Sequence, residues 1–127
     1  MVNAKDWVVK FANAFRGVKQ GVLGQSSFLV HVPMALATLA LAYWLQCNHI
    51  EYLVLVLCIT IVLAAELMNS SIERLAKAIT QEHNEQVGAA LDIASASVLV
   101  ASVGAAIVGG ALFLMKILEW PVWSHSA

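Results

Sequence analysis

The chain has 127 residues, of which 61% are apolar and only 12% charged, with a net charge of −1. Ordinary globular composition is roughly half apolar and a quarter charged, so the surplus points to lipid and excludes an ordinary water-soluble domain. With no basic run or patch, a nucleic-acid partner is excluded as well, and the length leaves room for one membrane-embedded unit over 1–127 and little beyond it.

The stretch from Met1 to Lys19 is broken by charges and lacks the continuous apolar core of a signal peptide, so the mature chain is expected to start where the sequence does. Within it, Trp7, Val8, Phe11, Phe15 and Val18 recur at helical spacing among Lys5, Lys10, Arg16 and Lys19. That amphipathic pattern predicts an interfacial helix over 5–24, with rings at the acyl boundary and cations among headgroups.

Phe28 to Leu45 is an 18-residue run without a formal charge and predicts a first span over 28–46, with Tyr43 and Trp44 at its water interface. His31 near its start reads as a packed or interfacial histidine rather than an ion-path residue. After a short connection from Gln46 to Glu51, helical apolar spacing continues from Tyr52 to Ile79, which predicts one long helix over 50–79 that leaves the membrane partway. The polar stretch Thr80 to Gln86 then precedes a 23-residue uncharged run, Ile93 to Met115, inside a third span predicted over 87–118. Gly104, Gly109, Gly110 and many alanines and serines in it suit close helix packing in lipid.

Cys47 and Cys58 lack CxxC spacing and read as packing residues. Lys5, Lys10, Arg16 and Lys19 at one end, with Arg74 and Lys77 beside the second connection, place the N-terminus and the Glu82 loop in the cytoplasm by the positive-inside rule. The Cys47 loop and the tail after Lys116 then lie outside. In that tail, Trp120, Pro121, Val122 and Trp123 read as an interfacial anchor, and His49 and His125 as solvent-facing.

Glu66, Asn69, Ser70, Glu73 and Lys77 share one stripe of the second long helix at about 100° per residue. A carboxylate within a spanning helix is expensive, roughly 2.5–3.5 kcal/mol on insertion scales, so each is a functional candidate. Asp92 adds a third carboxylate at the start of the last span, with Ser95 one turn deeper. Two carboxylates, an amide and a hydroxyl at a membrane edge suit phosphoryl transfer, which needs a group to orient or deprotonate the attacking alcohol and a divalent metal on the phosphates. Mg²⁺ binds through one or two carboxylates plus phosphates and needs no dedicated cage. Neither GxxxxGK[ST] nor GxGxxG is present, so a nucleotide must be held by helix side chains and the polar loop.

The run Glu66-Leu67-Met68-Asn69-Ser70-Ser71-Ile72-Glu73 resembles the E-x-x-N-[ST]-x-[IL]-E signature of the small bacterial diacylglycerol kinase and undecaprenol kinase family. The order of elements and the placement of Glu82, His83 and Asp92 extend the resemblance over nearly the whole chain, and Phe28 to His31 is similar to the N-F-R-[IV]-H stretch of the undecaprenol branch. The resemblance implies an all-α homotrimer in the bacterial inner membrane, with ATP and Mg²⁺ at the cytoplasmic face and a lipid alcohol entering sideways. It implies Glu66 as general base, Glu73 as Mg²⁺ ligand, and Asn69 as the residue orienting the reacting groups. Asp92, Glu82 and His83 would then contact nucleotide, and Ser70 and Ser95 the lipid.

Three positions depart from the family pattern. Gln25 stands where the family supplies a glutamate for metal or nucleotide, keeping an oxygen donor without the charge. Leu91 replaces a lysine, which leaves Arg16, Lys19 and Lys77 to meet phosphate, and Leu29 replaces an arginine. Diacylglycerol is the expected substrate and undecaprenol the alternative. The remaining readings are a small cation or proton transporter, a noncatalytic subunit, or a polar seam that only fixes helix register.

Overall fold

A computed structural model describes residues 3–123, with side chains as far as Glu119. The anchoring expected of the Trp120–Trp123 side chains and the exposure expected of His125 fall outside those bounds. Four helices follow in order: α1 (Ala4–Gly24), α2 (Phe28–Trp44), α3 (His49–Ile79) and α4 (Glu85–Trp123). The protein is an all-helical membrane protein.

Three of the four helix starts, those of α1, α3 and α4, are written in an asparagine. Asn3 Oδ1 accepts the Lys5 and Asp6 amides while Asp6 returns a carboxylate oxygen to the Asn3 amide, and Asn48 and Glu51 close the same reciprocal box on α3. Asn84 Oδ1 accepts the amides of Gln86 and Val87 at the start of α4. α2 ends in a tight reversal in which Gln46 adopts φ 54°, the Gln46 amide donates to Tyr43 and the Cys47 amide to Ala42. This is the Schellman arrangement, with glutamine at the left-handed position that glycine usually fills.

α3 and α4 are long and apolar enough to cross a membrane. α2, with 17 residues, spans about 25 Å at 1.5 Å per residue, at the lower limit for crossing the hydrocarbon core. It ends at Trp44, with Leu45 and Gln46 already in the turn. α1 and α2 meet at 102°. With α2 upright, α1 lies along the bilayer plane, as its amphipathic pattern requires; Trp7 stacks near Phe11, and the Lys10 ammonium stands 5.0 Å from the Trp7 ring.

α3 and α4 form an antiparallel hairpin. Leu55 is 1% exposed and lies opposite Gly109, where even an added Cβ would make only ordinary van der Waals contact with it; nearer the α3 start, Lys116 Nζ pairs with Glu51 at 3.0 Å. Extending that register along the hairpin brings Asp92 to about the level of Glu73. The end of α1 rests on α3 through two close approaches. A Cβ at Gly21 would meet Leu67, and one at Gly24 would meet the Arg74 guanidinium, which itself donates to the Gln20 carbonyl at 2.9 Å. Arg74 thus sets a cation at the C-terminal end of α1, where the helix dipole is negative. Leu29, Leu36, Leu53, Leu57, Val100, Ile107 and Leu118 stay exposed, an outer surface that water does not tolerate and lipid or a partner covers.

Candidate active site

The C-terminal half of α3 carries the buried polar residues. Glu66 is 3% exposed, Asn69 7% and Ser70 2%, each shielded by helices that leave their neighbours Ala64 and Met68 open. Along the stripe predicted from spacing, burial then fades: Glu73 is half-buried and Lys77 exposed. The five residues therefore line a path from the bundle interior to the surface at the 80–84 connection.

Glu66 does not stand alone. Ser27 Oγ, at the α1–α2 junction, donates to its Oε1, and His31 Nε2 from the next turn of α2 lies 3.4 Å from its Oε2. An ionised carboxylate removed from water without partners is costly, so these contacts explain how the helix tolerates it. One turn further along α3, Asn69 Nδ2 donates to Glu73 Oε1 at 2.9 Å. That bond leaves Asn69 Oδ1 buried without a partner, and Ser70 Oγ is in the same condition. Buried polar atoms are nearly always satisfied, so two orphans beside a carboxylate mark a place for a ligand or a neighbouring chain.

The other sequence-derived candidates lie around this core. Gln25 is half-buried at the end of α1, two residues before Ser27. Arg16, Lys19, Glu82, His83, Asp92 and Ser95 are exposed, and none makes a side-chain hydrogen bond or ion pair among the described residues. They remain open to a ligand. Among the described residues no three of histidine, cysteine, aspartate and glutamate gather as a metal cage. The oxygen donors present, the Glu73 carboxylate and the orphaned Asn69 Oδ1, are of the hard type that suits Mg²⁺.

Two members of the cluster escape the sequence. Ser27 looks like an ordinary helix cap, and His31 like a packing residue in an apolar run; only the fold brings them to Glu66, 39 and 35 positions further on. An apolar cavity of about 450 Å³ between α2, α3 and α4 opens beside His31 and runs past Cys58, Ser102 and Gly109 to Phe113.

Comparison with known proteins places the chain in a family. The sequence matches the prokaryotic diacylglycerol kinase family over residues 12–113. It is 32% identical to a diacylglycerol kinase of Synechocystis over 117 residues, covering 91% of this chain and 67% of that protein. An undecaprenol kinase of Bacillus subtilis is 31% identical over 107 residues, 84% of this chain and 87% of that protein. A diacylglycerol kinase of Escherichia coli is 28% identical over 121 residues, 93% of this chain and 90% of that protein. The chain belongs to the prokaryotic diacylglycerol kinase family and is a lipid kinase.

Proposed function

We propose that the protein transfers the γ-phosphoryl group of ATP to the hydroxyl of a membrane lipid alcohol, with diacylglycerol as substrate and phosphatidic acid as product. The observation that carries this reading is the buried Glu66 carboxylate, held from α2 and followed within two turns by Asn69 and Glu73. The lipid hydroxyl oxygen bonds to the γ-phosphorus as its proton passes to Glu66. The bond from the γ-phosphorus to the bridging oxygen breaks, and ADP leaves with that electron pair.

Glu73, oriented by Asn69, would hold Mg²⁺ with the Gln25 amide oxygen, and the ion would supply charge neutralisation on the phosphates. Asn69 also orients the reacting groups from its buried position. Glu82 and His83 in the loop, Asp92 on α4, and Arg16 and Lys19 on α1 would contact the nucleotide. The two cations take the place that Leu91 leaves without charge. Ser70 and Ser95 would meet the lipid headgroup.

Cations on α1 and near Arg74 and Lys77 support a cytoplasmic N-terminus and active site in the inner membrane. The exposed apolar faces of α3 and α4 support a homotrimer in which sites form between subunits. Undecaprenol is the second reading, favoured by the Bacillus relative of nearly equal identity. The test is transfer from labelled ATP by the purified protein to each lipid, alone and in competition, with and without Mg²⁺. Phosphorylated diacylglycerol as the main product supports the assignment, preference for the polyprenol replaces it, and no ATP-dependent product with either overturns it.

A further inference from the structure

Ser27 and His31 stand outside the stripe that carries the proposed chemistry, yet both address its central carboxylate. Ser27 is the N-cap of α2, where a serine side chain ordinarily accepts a backbone amide two or three residues on. It makes no such bond here; its hydroxyl is committed to Oε1 of Glu66. His31 follows at i+4 on the same helix face, with Nε2 3.4 Å from Oε2. That distance is long for a hydrogen bond and close enough for a charge contact. α2 thus presents one polar group to each oxygen.

A carboxylate oxygen offers about two acceptor directions, so one contact apiece leaves room on either for the hydroxyl of a substrate. What the two contacts remove is rotation of the carboxyl group and its retreat from the reacting atoms. Among the described residues no other side chain is hydrogen-bonded or ion-paired to Glu66. α4 has no charged residue between Asp92 and Lys116, and the α1 cations Arg16 and Lys19 are exposed and unpaired with it. Among the described residues, the side-chain contacts that hold the base therefore come from α2.

We propose that Ser27 and His31 are positioning residues that fix Glu66 as a base, an inference that rests on the general-base reading given above. The two act as one unit: each holds a different oxygen of the same group, so loss of either frees the carboxyl to turn. Displacement of a reacting group by about 1 Å costs on the order of 100-fold in rate, and loss of one holder is expected to reach at least a tenth of that.

The test uses the full chain purified in detergent micelles, with kcat and KM measured for labelled ATP and for diacylglycerol and undecaprenol. Ser27→Ala and His31→Ala each lower kcat about tenfold with KM for ATP and lipid unchanged, as expected of a misaligned base. Ser27→Thr keeps the hydroxyl and His31→Gln keeps a donor in place of Nε2, and both recover most of the loss. The double alanine variant loses less than the product of the single losses, because both residues act through one group. If an alanine variant loses its helical spectrum, Ser27→Cys, a weaker donor of similar size, takes its place, with reduced kcat in support and an unchanged kcat against.

Wild-type kcat in both alanine variants, while Glu66→Gln is inactive, overturns the positioning role and leaves the base assignment standing. A loss confined to KM overturns it too. Activity surviving in Glu66→Gln removes the base assignment, and this inference with it.

Discussion

Asn69 donates Nδ2 to Oε1 of Glu73 at 2.9 Å across one turn of α3, and its own Oδ1 stays buried with no partner. The amide thereby fixes the carboxylate it touches and keeps an oxygen unspent. Removing such a partner of a metal ligand typically costs about 10–100-fold in metal affinity or activity. Asn69→Ala is expected to lower activity in that range, and Glu73→Gln to raise the Mg²⁺ concentration needed for half-maximal rate. A Mg²⁺ titration of phosphoryl transfer checks both, and an unchanged midpoint in Glu73→Gln removes Glu73 from the metal.

The opposite end of the hairpin is tied by Lys116 and Glu51, whose side chains are 19% and 24% exposed. Glu51 also accepts the Asn48 amide at 2.7 Å, so its loss removes a cap as well as an ion pair. Glu51→Ala, which removes both, is therefore expected to cost more stability than Lys116→Met. A double-mutant cycle read by SDS-induced unfolding should isolate a coupling of about 1 kcal/mol, the upper range for a partly exposed pair. Coupling near zero would show the hairpin end to be held by packing alone.

Cys47, in the turn before α3, reports on the same pair. Burial first and the neighbouring Glu51 charge second push its thiol above the usual cysteine range, with Lys116 opposing. A raised value means less thiolate at a given pH, and the thiolate is the reactive form. In a Cys58→Ala background, maleimide labelling of Cys47 should run slower than that of a free thiol and quicken as pH rises. Glu51→Gln should speed labelling and Lys116→Met slow it; the reverse order contradicts the assignment of charges around the turn.

The order of the helices was legible because apolar periodicity and charge gaps decide where a chain can enter lipid. Asn3, Asn48 and Asn84 mark helix starts by local chemistry that needs no tertiary information. Helical spacing likewise puts Glu66, Asn69, Ser70 and Glu73 on one face, and burial of the first three follows. The Ser27–Glu66–His31 contact was not legible, because it depends on a 102° turn between α1 and α2 that no periodicity encodes. Arg74 read as an orientation signal alone, whereas the fold also uses it to seat the end of α1. Asp92 and Ser95 have the spacing of site residues but stand exposed on the single chain, and no side chain among the described residues pairs with either.

Gln46 shows a local cost that the sequence hides. Its φ of 54° lies in the left-handed region, which disfavours residues with a Cβ by roughly 1–2 kcal/mol. Glycine loses that penalty while paying more in chain entropy, so Gln46→Gly is expected to stabilise the protein by about 1 kcal/mol. Thermal unfolding in detergent measures the gain; a fall in stability would mean that the glutamine side chain holds the turn.

The role of Glu66 is tested most directly by Glu66→Gln, which keeps size and hydrogen bonding but cannot take the hydroxyl proton. ATP-dependent phosphorylation of lipid by the folded variant is expected to fall by about 10²–10⁴, the usual contribution of a positioned base, with KM for ATP unchanged. Turnover at the wild-type rate would contradict the account, because the one carboxylate buried among the described residues would then have no part in the chemistry.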